Sequence, residues 1–271
     1  MRARGRTDRP AVVLLHGYGE SLESWDEVAL ELSPEFRTLA LDLRGHGQSG
    51  WADDGDYSLA ATVGDLERTA EHLALSRFAL AGHSTGGMTA VAFAAAHPDA
   101  VNGLALLETD PFIFKDGLER LTAFHGPEEL PSFAAFVAAY AARRGASADE
   151  GAVAARLRPL LRAGRGGAWT WRQDPRLRPG EYTAPARPRS EAEVIRMVES
   201  VRSPVLVLRG EKSPVLERDA LVRMLARFTS CEVRSEEIPG AGHALLADNA
   251  EAVTRALARF FAPGAPAPAA S

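Results

Sequence analysis

Six short apolar runs, each separated from the next by a helical pattern or an insertion, constrain this chain more than any other feature. They are AVVLLHG (11–17), FRTLALDL (36–43), RFALAGHS (77–84), VNGLALLE (101–108), SPVLVLRG (203–210) and CEVRSEEIPG (231–240). Helical patterns such as SWDEVALEL, SLAATVGDLERTAEHLAL, GGMTAVAFAAAHP, ERDALVRMLARF and NAEAVTRALARFF lie between or after them. A strand buried on both faces reads as a continuous apolar run, and β–α alternation implies a mainly parallel sheet covered by helices. The chain has 271 residues, 46% of them hydrophobic, which is enough to bury such a core.

One segment breaks the alternation. From about 112 to 200 the chain is Ala- and Arg-rich, helical in pattern, and punctuated by HGPEELP, RAGRGGAW and YTAPARP, with no clear strand of its own. Because the strand pattern resumes at 203, the expected organisation is a core in two parts, 1–111 and 201–262. Residues 112–200 are then inserted between them as a helical lid over one end of the sheet, and the Pro/Ala-rich tail 263–271 is expected to be disordered.

Net charge is −5, so no global basic field argues for nucleic acid or an anionic membrane as partner. The expected partner is a small-molecule substrate, and the oligomeric state is left open. The basic start MRARGRTDRP resembles the leading part of a secretion signal, but AVVLL breaks at His16-Gly17 without a cleavage site and reads as a first buried strand. No run is long enough to span a membrane. A single cysteine, Cys231, excludes an internal disulfide and fits a reducing compartment, so a cytoplasmic location is expected.

The sharpest chemical signal is ALAGHSTGG, which places Gly82-His83-Ser84-Thr85-Gly86 at a strand end with a helix starting at once. G-x-S-x-G in that setting holds the serine on a strained turn, with glycines where side chains would collide with neighbouring backbone. The helix N-terminus after Ser84 offers free N–H groups to a developing oxyanion. In LLHGYG the N–H of Tyr18 is positioned to be a second donor beside that of Thr85, although Gly17 and Gly19 equally describe a tight turn. His243, in PGAGHALLADNAEAV, follows the last strand and takes the final place in the order Ser…acid…His. His16, His46, His72, His83, His97 and His125 have blander turn or helix readings, and none has metal-ligand spacing. No metal is expected.

LLHGYGES…W, LALDLRGHGQS, LAGHSTGG, AHPDAVNGLALLE, PVLVLRGEKS and IPGAGHALLADNAEAV together resemble the α/β-hydrolase superfamily, in its lidded esterase, lactonase and C–C hydrolase branch. The resemblance covers roughly 10–112 and 202–262. It implies an α/β fold with a mostly parallel eight-stranded sheet flanked by helices, a lid inserted after strand 6, a Ser–His–acid triad and no cofactor. In most such families the acid follows the strand PVLVLRG, where this chain has Ser213 and Pro214. A serine hydroxyl cannot stabilise an imidazolium as a carboxylate does. In a subset that includes some dehalogenases, the acid instead ends the strand after the nucleophile helix. The equivalent residue here is Glu108, 24 positions beyond Ser84, with Asp110 as the local alternative. Glu211, Glu217 and Asp219 would each need an altered turn.

The expected function is hydrolysis of a small-molecule ester, lactone or thioester through an acyl-enzyme on Ser84. Haloalkane dehalogenases and epoxide hydrolases of this fold use Asp as nucleophile, and dienelactone-type enzymes use Cys. A non-hydrolytic lyase or cyclase on the same scaffold, and a ligand-binding protein with little turnover, are the competing readings. Ser213 is the main support for the last. Trp169, Trp171 and Phe112 are the candidate substrate contacts, within a set of aromatics that also holds Phe114, Phe124, Phe133, Phe136 and Tyr140. At helical spacing such aromatics are more often lid core. Arg143, Arg144, Arg156, Arg158, Arg162, Arg165 and Arg172 read as a solvated face, or as recognition of an acidic substrate or carrier-bound acyl chain.

Overall fold

The computed structural model describes residues 1–112, 128–144, 149–177 and 190–262. Strands β1 (Arg2–Arg4), β2 (Ala11–Leu15), β3 (Arg37–Leu41), β4 (Phe78–His83) and β5 (Val101–Leu107) come first. Three short strands follow in the insertion: β6 (Glu129–Leu130), β7 (Leu161–Ala163) and β8 (Trp169–Trp171). The chain then returns with β9 (Val205–Gly210) and β10 (Val233–Ile238). The helices are α1 (Asp26–Leu32), α2 (Leu59–His72), α3 (Thr85–Ala96), α4 (Phe133–Arg144), α5 (Glu150–Leu157), α6 (Glu191–Glu199), α7 (Arg218–Leu225), α8 (Leu245–Asp248) and α9 (Ala250–Phe261).

The main sheet runs β1-β3-β2-β4-β5-β9-β10, and every pairing is parallel except β1 on β3. The described residues therefore give seven strands where the resemblance implied eight, and the insertion follows the fifth strand in chain order instead of the sixth. Strand β1 is the unexpected member. Arg2 and Arg4 pair with Asp26 at the start of α1, so basic side chains suit an edge whose neighbours are acidic.

Alternation within each apolar run fills two layers. Val12, Leu14, Ala79, Ala81, Leu206 and Leu208 face α1 and α9. Val13, Leu15, Phe78, Leu80, Val205 and Val207 face the layer of α2, α3, α6 and α7. Helix α3 is built from small residues and is buried at Gly86 to Val91, which suits a helix packed against the sheet on one side and other helices on the other. Asn249 caps α9, its side chain accepting the Ala252 N–H at 3.1 Å. Among the described residues no helix is long and apolar enough to cross a membrane.

The insertion differs from the purely helical expectation. β6, β8 and β7 form a three-stranded antiparallel sheet, its strands of two or three residues too short to leave a period in the sequence. Phe136, Val137, Val153, Leu157, Leu161 and Trp171 make a small core under it. Helix α6 was expected within the insertion, yet it buries Val194 and Val198 in the main core beside α3. Asp174 ties the inserted segment to the loop after β3: it accepts from the Tyr57 hydroxyl and pairs with Arg176, and its N–H donates to the Gly45 carbonyl at 2.8 Å. Burial, reinforced by Asp174, pushes the Tyr57 phenol up to about 12. Phe114, Phe124, the tail 263–271 and the side chains of Arg143, Arg144 and Arg165 lie outside the described residues.

Candidate active site

The parallel register brings the key residues to one edge. His83 pairs with Leu107 and Leu107 with Leu208, so Ser84 and Glu108 each stand one residue beyond a strand end. The Ser84 N–H donates to the Leu107 carbonyl at 2.9 Å, and the Glu108 N–H donates to the Leu208 carbonyl at 2.9 Å. Both residues have positive φ, 50° at Ser84 and 49° at Glu108, and Ala74 is the only other non-glycine residue like them among those described. Such backbone is strained for an L-residue and tends to gather at functional sites. Gly86 permits the turn: a Cβ there would lie 2.5 Å from the Leu15 and His16 carbonyl oxygens. The first turn of α3 can therefore sit against the end of β2, which sets the Tyr18 loop beside Ser84.

The acid question raised by Ser213 has a geometric answer. The Glu108 carboxylate is buried, and its Oε2 lies 3.1 Å from His243 Nδ1. The Ser213 hydroxyl donates to the same oxygen at 2.5 Å, and the Gly210 N–H donates to Oε1 at 2.8 Å. Ser213 Oγ in turn accepts the Leu216 N–H at 3.0 Å. The serine at the usual acid position thus holds a carboxylate that arrives from the neighbouring strand. Asp110 is occupied locally, accepting the Phe112 N–H at 2.8 Å, and Glu211 accepts the Gly240 N–H at 2.7 Å. Glu217 and Asp219 lie at the start of α7. Gly210 lets the His243 loop close on β9, since a Cβ there would run into the Gly242 carbonyl.

Behind His243 lies a charged pair that the sequence did not disclose. His83 and His243 rings pack with centroids 5.0 Å apart. His83 Nε2 is 2.8 Å from the His243 carbonyl and its Nδ1 is 3.1 Å from Glu20 Oε2. Both partners are pure acceptors when Glu20 is ionised, so both ring nitrogens must carry protons and His83 is an imidazolium. Burial works against that charge, but the Glu20 carboxylate outweighs it and raises the His83 pKa. Burial likewise opposes the Glu20 charge, yet His83 and Arg156 hold its carboxyl far below the usual range. Glu20 also accepts the Gly17 N–H at 3.1 Å, which fixes the loop carrying Tyr18. Glu20 and His83 are 63 positions apart, and no local pattern links them.

Ser84, His243 and Tyr18 open into a cavity of about 370 Å³. Among the described residues, Tyr140, Leu160, Trp171 and Pro214 line it, with Arg156 and Lys212 adding positive charge beside the His83 imidazolium. A larger depression of about 810 Å³, between α2 and the loop after β3, contains neither Ser84 nor His243, so the smaller one is the candidate site. Of the expected substrate contacts only Trp171 lines this cavity. Trp169 packs on Phe133 with centroids 5.1 Å apart, and Phe112 packs on the main core. Among the described arginines, Arg158 and Arg162 are exposed, as a solvated face expects, but Arg156 and Arg172 are half-buried. Arg158 covers the Phe133 ring at 4.0 Å, Arg162 the Trp51 ring at 5.1 Å, and Arg172 Nε donates to the Leu161 carbonyl at 3.1 Å.

A family model described as the alpha/beta hydrolase fold matches residues 10–250. An esterase of Mycobacterium tuberculosis is 30% identical over 258 residues, covering 90% of this chain and 80% of that relative. The 3-hydroxybutyrate-oligomer hydrolase of Cupriavidus necator is 30% identical over 243 residues, covering 86% and 82%. The crystal structure of the M. tuberculosis esterase matches with a TM-score of 0.76 at 27% identity, over 93% of this chain and 83% of that one. Sequence and architecture are thus shared with relatives named as esterases and hydrolases, and the chain belongs to the alpha/beta hydrolase fold family of enzymes.

Proposed function

We propose that the protein hydrolyses a small-molecule ester, lactone or thioester through an acyl-enzyme on Ser84. The observation that carries this reading is the 3.1 Å contact between Glu108 Oε2 and His243 Nδ1, in a cavity that Ser84 shares with His243. With Nδ1 committed to Glu108, His243 Nε2 is the nitrogen left to move protons. Ser84 Oγ attacks the acyl carbon while Nε2 takes its proton, and the N–H groups of Tyr18 and Thr85 receive the developing oxyanion. The imidazolium then gives its proton to the departing alcohol or thiol. Water attacks the acyl-enzyme, again losing a proton to Nε2, and Ser84 leaves protonated with release of the acid. Glu108 orients the ring and stabilises its charged form throughout. Ser213, the main support for a binding protein with little turnover, donates to Glu108, which favours the hydrolase reading.

A fluorophosphonate probe with intact-mass detection tests the reading. Wild type is expected to gain one adduct at Ser84 and Ser84→Ala none; a folded wild type that stays unlabelled overturns the proposal. The pH profile of labelling carries a further expectation. Burial lowers the His243 pKa, with Glu108 opposing and the charge on His83 reinforcing the shift. Protonation of His243 removes the base, so a lowered pKa keeps the base available further into acid. Labelling is expected to fall to half its plateau below the ordinary imidazole value of about 6.5. A half-point above that value would contradict the burial argument.

A further inference from the structure

We infer that Arg156 receives a carboxylate carried by the substrate, so that the preferred acyl donors are short esters bearing a second, ionised carboxyl group. The inference rests on the hydrolase reading above and names a substrate class for that site. Arg156 lies on α5, in the insertion, and lines the cavity that holds Ser84 and His243. Its Nη1 is buried without a hydrogen-bond partner, while Nη2 approaches Glu20 Oε1 at only 3.8 Å, beyond hydrogen-bonding reach. A buried guanidinium donor left unmade is costly, and such a group calls for an acceptor.

Glu20 is not that acceptor. Its Oε2 receives the Gly17 N–H and the His83 Nδ1–H, its charge is shared between the His83 imidazolium and Arg156, and no oxygen of it lies within hydrogen-bonding reach of Arg156 Nη1. Among the described residues, Glu20 and Asp248 are the carboxylates that line this cavity, and Asp248 is exposed, with Oδ2 accepting the Gly242 N–H. Glu20 thus offsets part of the Arg156 charge at 3.8 Å, while Nη1 keeps no hydrogen-bond acceptor, in a cavity that Arg156 lines together with Ser84. Lys212, exposed at the rim on the loop after β9, adds a second cation of the same sign. Tyr140, Leu160, Trp171 and Pro214 supply an apolar wall suited to a short carbon chain between the two carboxyl carbons. A guanidinium whose Nη1 has no acceptor, and whose Nη2 has one only at 3.8 Å, is suited to a planar carboxylate, the acceptor that such groups bind best.

The test compares matched esters that differ in one charge. Monomethyl succinate against methyl butyrate places the carboxylate on the acyl side. Para-acetoxybenzoate against para-tolyl acetate places it on the leaving-group side. Wild type is expected to prefer the charged member of at least one pair by about tenfold or more in kcat/KM. Arg156→Met is expected to abolish that preference, chiefly through KM, and Arg156→Lys to keep part of it. Arg158→Met, whose side chain covers Phe133, is the control and should leave the ratio unchanged. Equal turnover within both pairs, or an Arg156→Met variant that scales both members alike, overturns the inference. If none of the four esters is cleaved, the same comparison is read as protection of Ser84 from the fluorophosphonate. Stronger protection by a charged ester, lost in Arg156→Met, supports the inference, and equal protection overturns it. Labelling of Ser84 separates the two levels: a labelled serine without charge preference defeats only the role of Arg156, whereas an unlabelled serine defeats the hydrolase reading and this inference with it.

Discussion

Glu108→Gln is expected to lower kcat by about four orders of magnitude while the protein remains folded, the effect that neutralising the acid has in serine triads. The geometry gives the reason. Glu108 Oε1 receives the Gly210 N–H, a bond that a glutamine carbonyl oxygen can keep. The amide nitrogen then takes the place of Oε2, where it faces the Ser213 hydroxyl and His243 Nδ1. Ser213 Oγ already accepts the Val215 and Leu216 N–H groups, so the new N–H meets a hydroxyl with no lone pair to spare. His243 cannot adapt without loss: its Nδ1 must become an acceptor, which moves the ring proton to Nε2 and removes the base from the side of Ser84. Asp110→Asn is expected to leave kcat near wild type, because that carboxylate serves the Phe112 N–H. Steady-state kinetics on any cleaved ester, with circular dichroism to verify folding, decides the matter. Comparable losses in both variants would mean that Glu108 is not the partner that matters.

The same residues show how far the sequence could be read. Strands β2, β4, β5 and β9 were legible because burial on both faces leaves an uninterrupted apolar run. β1 was not, because an edge strand can carry Arg2 and Arg4 when acidic residues of another element stand beside them. The insertion hid its sheet for a different reason: two- and three-residue strands have no period to detect. Ser84 and His243 were visible through motif and chain order. Glu108 needed the resemblance as well, since a carboxylate at a strand end has no local signature. The His83–Glu20 pair depended on folding, which brings the turn before Ser84 onto the loop after β2. Helix α6 shows the remaining difficulty: its Val194 and Val198 mark an apolar face, but not which layer that face covers.

Ser84→Gly is expected to remove activity almost entirely, by about six orders of magnitude, and at the same time to be more stable than Ser84→Ala. Loss of the hydroxyl accounts for the first effect, and Ser84→Ala should show it equally. The second comes from the backbone. Ser84 stands at φ 50° and ψ −113°, where a Cβ is strained by about 1–3 kcal/mol. Alanine keeps that Cβ and glycine does not. Glycine gives back about 0.5–1 kcal/mol through the greater freedom of its unfolded chain, so the net gain over alanine is about 1 kcal/mol. In a protein of this size that corresponds to a rise in Tm of about 2 °C. The pair of variants isolates strain from chemistry, because both lack the Ser84 hydroxyl and differ only in one methyl group. Differential scanning calorimetry on the two proteins measures the gap. A Ser84→Gly variant less stable than Ser84→Ala would mean that the turn is relaxed as it stands, and that the positive φ stores nothing the site uses.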